Sequence, residues 1–165
     1  MRKNRTINLI VAAVIVAATV IIDQITKLIA TEVLGSGRQI VCIPAVLRWS
    51  YVENKGAAFG SLADARWVFL IASSVLIIAI IVYMFRSKNI SRLQNISLAF
   101  VLGGGIGNMI DRVAHGYVVD FVDFYFISIW KWVFNFADAC VCVGGIVFAL
   151  SLLFEKKKED NGTNG

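Results

Sequence analysis

The chain has 165 residues, 58% of them hydrophobic and 16% charged, with a formal net charge of +5 and a mean hydropathy of +0.75. Soluble domains of this size carry about 45–50% apolar and about 25% charged residues, so a water-soluble domain, a disordered chain, a collagen-like rod and a secreted disulfide scaffold are all excluded. Long apolar runs separate the basic residues, so the charge speaks for membrane topology and against nucleic acid as a partner.

A helix crosses a bilayer in roughly 20 mostly apolar residues, with a range of about 17–25. Four stretches fit, at about 7–29, 67–85, 93–110 and 132–154. The first follows Arg2, Lys3 and Arg5, as the core of a signal peptide would, but such cores span only about 7–15 residues. Three further spans follow, so this one is read as a retained helix. After it, 39–59 reads as extended structure: Ile40, Cys42 and Ile43, then Val46, Leu47, Trp49, Tyr51 and Val52, with a turn near Pro44. Gly56, Ala57 and Ala58 offer small side chains where backbone can approach a ligand. Trp49, Tyr51, Trp67, Trp130 and Trp132 suit an interfacial belt. In the third span Gly103, Gly104, Gly105 and Gly107 follow no strand, so they signal close helix packing and not a nucleotide loop. The expected fold is all-α and integral to the membrane, four transmembrane helices with a small extracytoplasmic β-subdomain, in one domain over 1–165 with a frayed tail from Glu159.

Four crossings put both termini and the loop 86–95 on one side. That side carries nine Lys/Arg (Arg2, Lys3, Arg5, Arg86, Lys88, Arg92 and Lys156 to Lys158) against Glu155, Glu159 and Asp160. Of the 16 Lys/Arg and 11 Asp/Glu, seven and eight remain for the other side. The positive-inside rule therefore places both termini in the cytoplasm.

Ionisable groups in or beside spans are costly, and each is a functional hypothesis. Asp23 follows the apolar run of the first span, Asp111 closes the third, Asp120 lies in Val118–Val119–Asp120–Phe121, and Asp138 lies within the fourth span. All four fall toward the outer face. Asp138 has one near polar neighbour, Asn135, at i and i+3 on a helix face. It can be read as half of a buried ion pair with Arg112 or Lys27, or as half of a carboxylate pair with Asp120. Asp123 is expected on an exposed face of Asp120's own segment. Two facing carboxylates share a proton and so supply an acid and a base in one site, which is the chemistry of amide hydrolysis without a covalent intermediate. His115 is the sole histidine and has no Ser or Cys placed beside it for a triad. Cys42, Cys140 and Cys142, without C-x-x-C spacing, read as small apolar fillers, and neither metal nor cofactor is expected. A small proton-coupled transporter using Asp23 and Asp138 is the alternative, although the two halves of the chain share no repeated pattern. In a structural adaptor the same aspartates would only pair helices.

Five ordered pieces add a resemblance: Asp23–Gln24 with Lys27; Val52 and Asn54 with Gly56–Ala57–Ala58–Phe59; Gly103–Gly104 through Gly107–Asn108 and Asp111–Arg112; Val118–Val119–Asp120–Phe121; and Phe134–Asn135 with Ala137–Asp138. Over nearly its whole length the chain resembles lipoprotein signal peptidases, the type II signal peptidases of bacteria. The resemblance implies an intramembrane aspartyl endopeptidase that cuts a prolipoprotein just before its diacylglyceryl-modified cysteine. It implies Asp120 and Asp138 as the catalytic pair, with Asp23, Lys27, Asn54, Gly56, Asn108, Asp111, Arg112, Asn135 and Ala137 supporting the site or binding substrate. Also implied are a location in the bacterial cytoplasmic membrane with the active site near its outer face, contact with membrane lipid, sensitivity to globomycin-type inhibitors, and action as a monomer. The chain departs from the family pattern at Ala139, where relatives commonly have serine, which leaves Asn135 to supply part of any hydrogen bond that serine would give.

Overall fold

The computed structural model describes residues 2–56, 66–87, 89–126 and 132–163. Ala57, Ala58, Phe59 and Trp130 of the sequence reading lie outside them. The elements run α1 (Arg2–Leu34), β1 (Ile40–Ile43), β2 (Leu47–Asn54), α2 (Arg66–Arg86), α3 (Arg92–Ala114), β3 (Val118–Phe124), β4 (Val133–Phe134) and α4 (Phe136–Thr163). Among the described residues, four helices are long and apolar enough to cross a membrane: Arg5–Leu34, Trp67–Arg86, Arg92–Ala114 and Phe136–Phe154. The β-strands form one antiparallel sheet in the order β1-β2-β3-β4. Chain direction puts this sheet at the end of the bundle where α1 and α3 finish and α2 and α4 begin.

Helix α3 is the centre of the bundle. Its most apolar window is 56% buried, against 17%, 11% and 22% for the windows of α1, α2 and α4, so the other three turn most of their apolar surface outward, as hydrocarbon permits. Ile25, Leu28, Ile71 and Ile78 are among the large apolar side chains left exposed. The start of α3 is fixed by a capping box, in which the Ser91 side chain accepts from the Gln94 backbone N–H and the Gln94 side chain accepts from the Ser91 N–H.

The fourth span begins later than its hydropathy suggests. Val133 and Phe134, expected as helix, pair as β4 with Asp123 and Val122, and Asn135 then caps α4. Asp138 thus sits in the first turn of that helix rather than deep inside it. The apolar run at Val118 forms the core strand β3, buried at Val118, Val119, Asp120 and Phe121 in succession, because neighbouring strands pair with it and α1 and α3 cover it. At the other extremes, α1 continues to Leu34 and α4 stays helical to Thr163, past the expected fraying point at Glu159. Asp123 is buried and ion-paired to Arg48 at 2.6 Å, not exposed. Cys140 alone of the cysteines is buried.

Helix α3 approaches its neighbours through glycine. A Cβ on Gly103 would meet the Thr19 side chain at 2.6 Å, one on Gly104 the Ala137 carbonyl oxygen at 2.4 Å, and one on Gly107 the Asp23 carboxylate at 2.4 Å. Gly145, on α4, has nothing within 4 Å of its would-be Cβ. Gly104→Ala, whose new methyl faces backbone, is expected to cost about 1–3 kcal/mol by overpacking, while Gly145→Ala should be neutral or stabilise by up to about 1 kcal/mol through helix propensity. Thermal unfolding of both variants in one detergent checks this, and equal midpoints would contradict the packing assignment.

Candidate active site

Lys27, buried within α1, is the cation around which the site is arranged. Its ammonium lies 2.8 Å from Asp23 Oδ2, one turn back on the same helix, and 2.9 Å from Asp111 Oδ2 on α3. It also donates to Asn108 Oδ1 at 2.8 Å, so all three of its protons have acceptors. Gln24 Nε2 ties the two carboxylates together, donating to Asp111 Oδ1 at 2.9 Å and Asp23 Oδ2 at 3.3 Å.

Each of these two carboxylates also grips backbone elsewhere. Asp23 Oδ1 accepts from the Ala137 N–H at 3.0 Å, and Asp111 Oδ2 accepts from the Val119 N–H at 3.1 Å. Ala137 precedes Asp138, and Val119 precedes Asp120. One buried ion cluster therefore holds the chain on the N-terminal side of both remaining aspartates, from α4 and from β3.

Asp120 and Asp138 are brought together by asparagines. Asn135 Nδ2 donates to Asp120 Oδ1 at 2.6 Å. Its backbone N–H donates to Asp138 Oδ2 at 3.1 Å, and its Oδ1 accepts from the Asp138 N–H at 2.9 Å. The last two bonds are a reciprocal cap on α4, so the residue that starts the helix also links the two carboxylates. Asn54 is the diagonal neighbour of Asp120 across the β2–β3 ladder and donates from Nδ2 to Asp120 Oδ2 at 2.8 Å. Its own Oδ1 accepts from the Gly56 N–H at 2.9 Å. Gly56 has φ +89, and a Cβ there would meet the Phe69 ring at 2.3 Å, so both backbone conformation and space favour glycine. Asn108 Nδ2 donates to Asp138 Oδ1 at 2.8 Å.

Burial pushes the Asp120 carboxyl up to about 7; the negative charge of Asp138 adds to the rise, while Asn54, Asn135 and Lys27 oppose it. Both aspartates line a cavity of about 860 Å³. Its polar end carries Asn54, Asn108, Arg112, Asp120 and Asp138, and its apolar floor is made by Leu76, Ile77, Ile80, Val101 and Val141. Arg112 donates to the Asn108 carbonyl and stacks over the Phe69 ring at 5.5 Å. Among the described residues no salt bridge joins Asp138 to Arg112 or Lys27, so the ion-pair alternative for Asp138 does not hold; Lys27 is taken by Asp23 and Asp111.

Every site residue named from the sequence falls in this region. Ala137 is fully buried and presents its backbone to both Asp23 and Gly104. Gln24 and Phe69 were not singled out as site residues. Gln24, a polar side chain beside Asp23 within a span, carried a signal; Phe69, one apolar residue among many, carried none. His115 caps the end of α3 and stacks on Tyr117, away from the cavity.

The family model described as signal peptidase (SPase) II matches residues 15–154. The lipoprotein signal peptidase of Caldanaerobacter subterraneus is 42% identical over 144 residues, 87% of this chain and 97% of that one. That of Symbiobacterium thermophilum is 38% identical over 145 residues, covering 87% and 95%. A bacterial membrane enzyme solved by the in meso method at 1.9 Å resolution superposes with a TM-score of 0.78 at 30% identity, covering 87% of this chain and 92% of that one.

Asn135→Ala removes the α4 cap and the link between the aspartates at once. A lost cap costs about 0.5–2 kcal/mol, and the buried Asp120 oxygen left without a donor adds about 1–3 kcal/mol. Thermal unfolding should therefore show a larger loss for Asn135→Ala than for Asn54→Ala, whose position carries no cap.

Proposed function

Because the chain belongs to the signal peptidase II family, we propose that it removes the signal peptide of prolipoproteins as an intramembrane aspartyl endopeptidase, cutting before a diacylglyceryl-modified cysteine. The observation that carries this reading is that Asp120 and Asp138, from a strand and a helix, line one cavity and are joined through Asn135. A carboxyl that holds its proton to about 7 beside a second carboxylate supplies an acid and a base together.

In the reaction, water lies between the two carboxyl groups. One takes a proton from it as the oxygen attacks the scissile carbonyl carbon, and the other gives its proton to the carbonyl oxygen, leaving a neutral gem-diol. Collapse returns one hydroxyl proton to a carboxylate while the leaving nitrogen takes the other carboxyl's proton, and the C–N bond breaks. Asn54 and Arg112, at the polar end of the cavity, orient the peptide. The apolar floor suits the hydrophobic signal helix and an acyl chain of the substrate. Asp23, whose oxygens are occupied by Lys27, Gln24 and the Ala137 N–H, is poorly placed to relay protons, which speaks against a transporter.

The enzyme would act as a monomer in the cytoplasmic membrane of a bacterium, both termini cytoplasmic and the sheet at the outer face, in contact with membrane lipid and open to globomycin-type inhibitors. The excess of basic residues on the side of the termini supports this orientation.

Cleavage of a diacylated prolipoprotein by the purified protein in lipid is the direct test. Asp120→Asn and Asp138→Asn should each lower kcat by about 10²–10⁴, and Asn54→Ala by less; turnover by both Asp variants at the wild-type rate would rule the assignment out. The proton on Asp120 is present below about 7 and lost above it, so kcat/KM should fall on the alkaline side of that pH. A profile flat to pH 9 would contradict an Asp120 acid that loses its proton near 7.

A further inference from the structure

Resting on the reading above, we infer that Lys27 is a positioning residue that acts through Asn108 to make Asp138 the general base, leaving Asp120 to hold the proton. A carboxamide can present either its oxygen or its NH2 to a carboxylate, and only the NH2 helps the charged form. At Asn108 that choice is already made. Its Oδ1 accepts from Lys27 Nζ at 2.8 Å and from Asn135 Nδ2 at 3.1 Å, so its Nδ2 faces Asp138 Oδ1 at 2.8 Å. An ammonium on the oxygen of an amide polarises the N–H on its other side, and hydrogen bonds in such a chain strengthen one another.

Asp138 has two further supports that Asp120 lacks. It lies in the first turn of α4, where the helix macrodipole favours negative charge, and it accepts a backbone N–H, from Asn135, where Asp120, among the described residues, accepts only side-chain amides. Asp120 lies on β3, a strand with little net dipole, and is 1% exposed against a half-buried Asp138 that faces the cavity. The other charged groups around Asp138 are Asp120 on β3, Asp23 on α1 behind Ala137, Asp111 and Arg112 on α3, and, lining the same cavity, Glu53 on β2 and Lys55 just after it. The residues of α2 that line the cavity are uncharged.

The test is the pH dependence of kcat/KM for cleavage of a diacylated prolipoprotein, measured for the wild type, Asn108→Ala, Lys27→Met and the double variant. Asn108→Ala leaves the Lys27 ion pairs intact. It should lower kcat roughly tenfold or more, change KM by less than about twofold, and move the acidic limb upward by about one pH unit while the alkaline limb stays. Adding Lys27→Met to it should move that limb no further, since both residues act along one chain. Lys27→Met leaves Asp23 and Asp111 without their cation; if it does not fold, Lys27→Met/Asp111→Asn, which keeps the net charge of the cluster, takes its place. An unmoved acidic limb in Asn108→Ala overturns the inference, as does a shift of the alkaline limb instead, which would make Asp120 the base. A further shift of the acidic limb on adding the Lys27 change would mean that Lys27 does not act through Asn108; the alkaline limb does not decide this, because the charge of Lys27 also bears on Asp120 directly. In all these outcomes the wild type cuts, so the proposed function stands apart; an inert wild type would overturn that function and this inference with it.

Discussion

A lysine ammonium buried among carboxylates is tolerable only when its charge is matched and its protons are used. Lys27 meets both conditions with Asp23, Asp111 and Asn108, and the arrangement of the sheet-bearing end of the bundle follows from that. Of the two carboxylates that neutralise it, Asp23 turns its other oxygen to the backbone of α4, and Asp111 accepts from the backbone of β3 with the same oxygen that faces Lys27. Removing one member of such a cluster strands a buried charge, whereas replacing all of it with apolar groups can be nearly neutral. The cluster is therefore weak evidence for stability and stronger evidence for geometry, because it sets two chain segments at fixed places around one cavity.

The glycines of α3 make that geometry possible. Gly107 leaves the space that the Asp23 carboxylate occupies, and Gly104 lets the Ala137 carbonyl lie against α3. Electrostatics and packing thus depend on the same few positions. A larger residue there would push α1 or α4 outward and lengthen several hydrogen bonds of the site at once.

The membrane spans were legible because hydrocarbon imposes one length and one composition on all of them. The sheet was legible only in part. β1 and β2 alternate enough β-branched and aromatic residues to be read as strands, but β3 is buried at four successive positions and lacks the period-2 pattern that marks a half-buried strand. β4 is two residues long and adjoins a span, so hydropathy merges it with the helix. The aspartates stood out because charge beside an apolar run is rare, but the sequence offered Lys27 to Asp138, whereas its partner one turn back is Asp23. That Asp111 completes the same cluster depends on contact between α1 and α3, which no local pattern shows. The partly buried Arg48–Asp123 pair across β2 and β3 was hidden for the same reason.

The one-turn spacing of Asp23 and Lys27 bears on how the chain enters the bilayer. As a nascent helix leaves the insertion machinery, its unpaired charges resist partition into hydrocarbon. Here the anion precedes the cation by four residues on one face, the favourable order for a helical pair. The first span thus brings its own counter-ion and can settle in lipid before α3 has been synthesised. Asp111 and Asn108 arrive later, to a partner already in place, so the order of translation matches the order in which the cluster is completed.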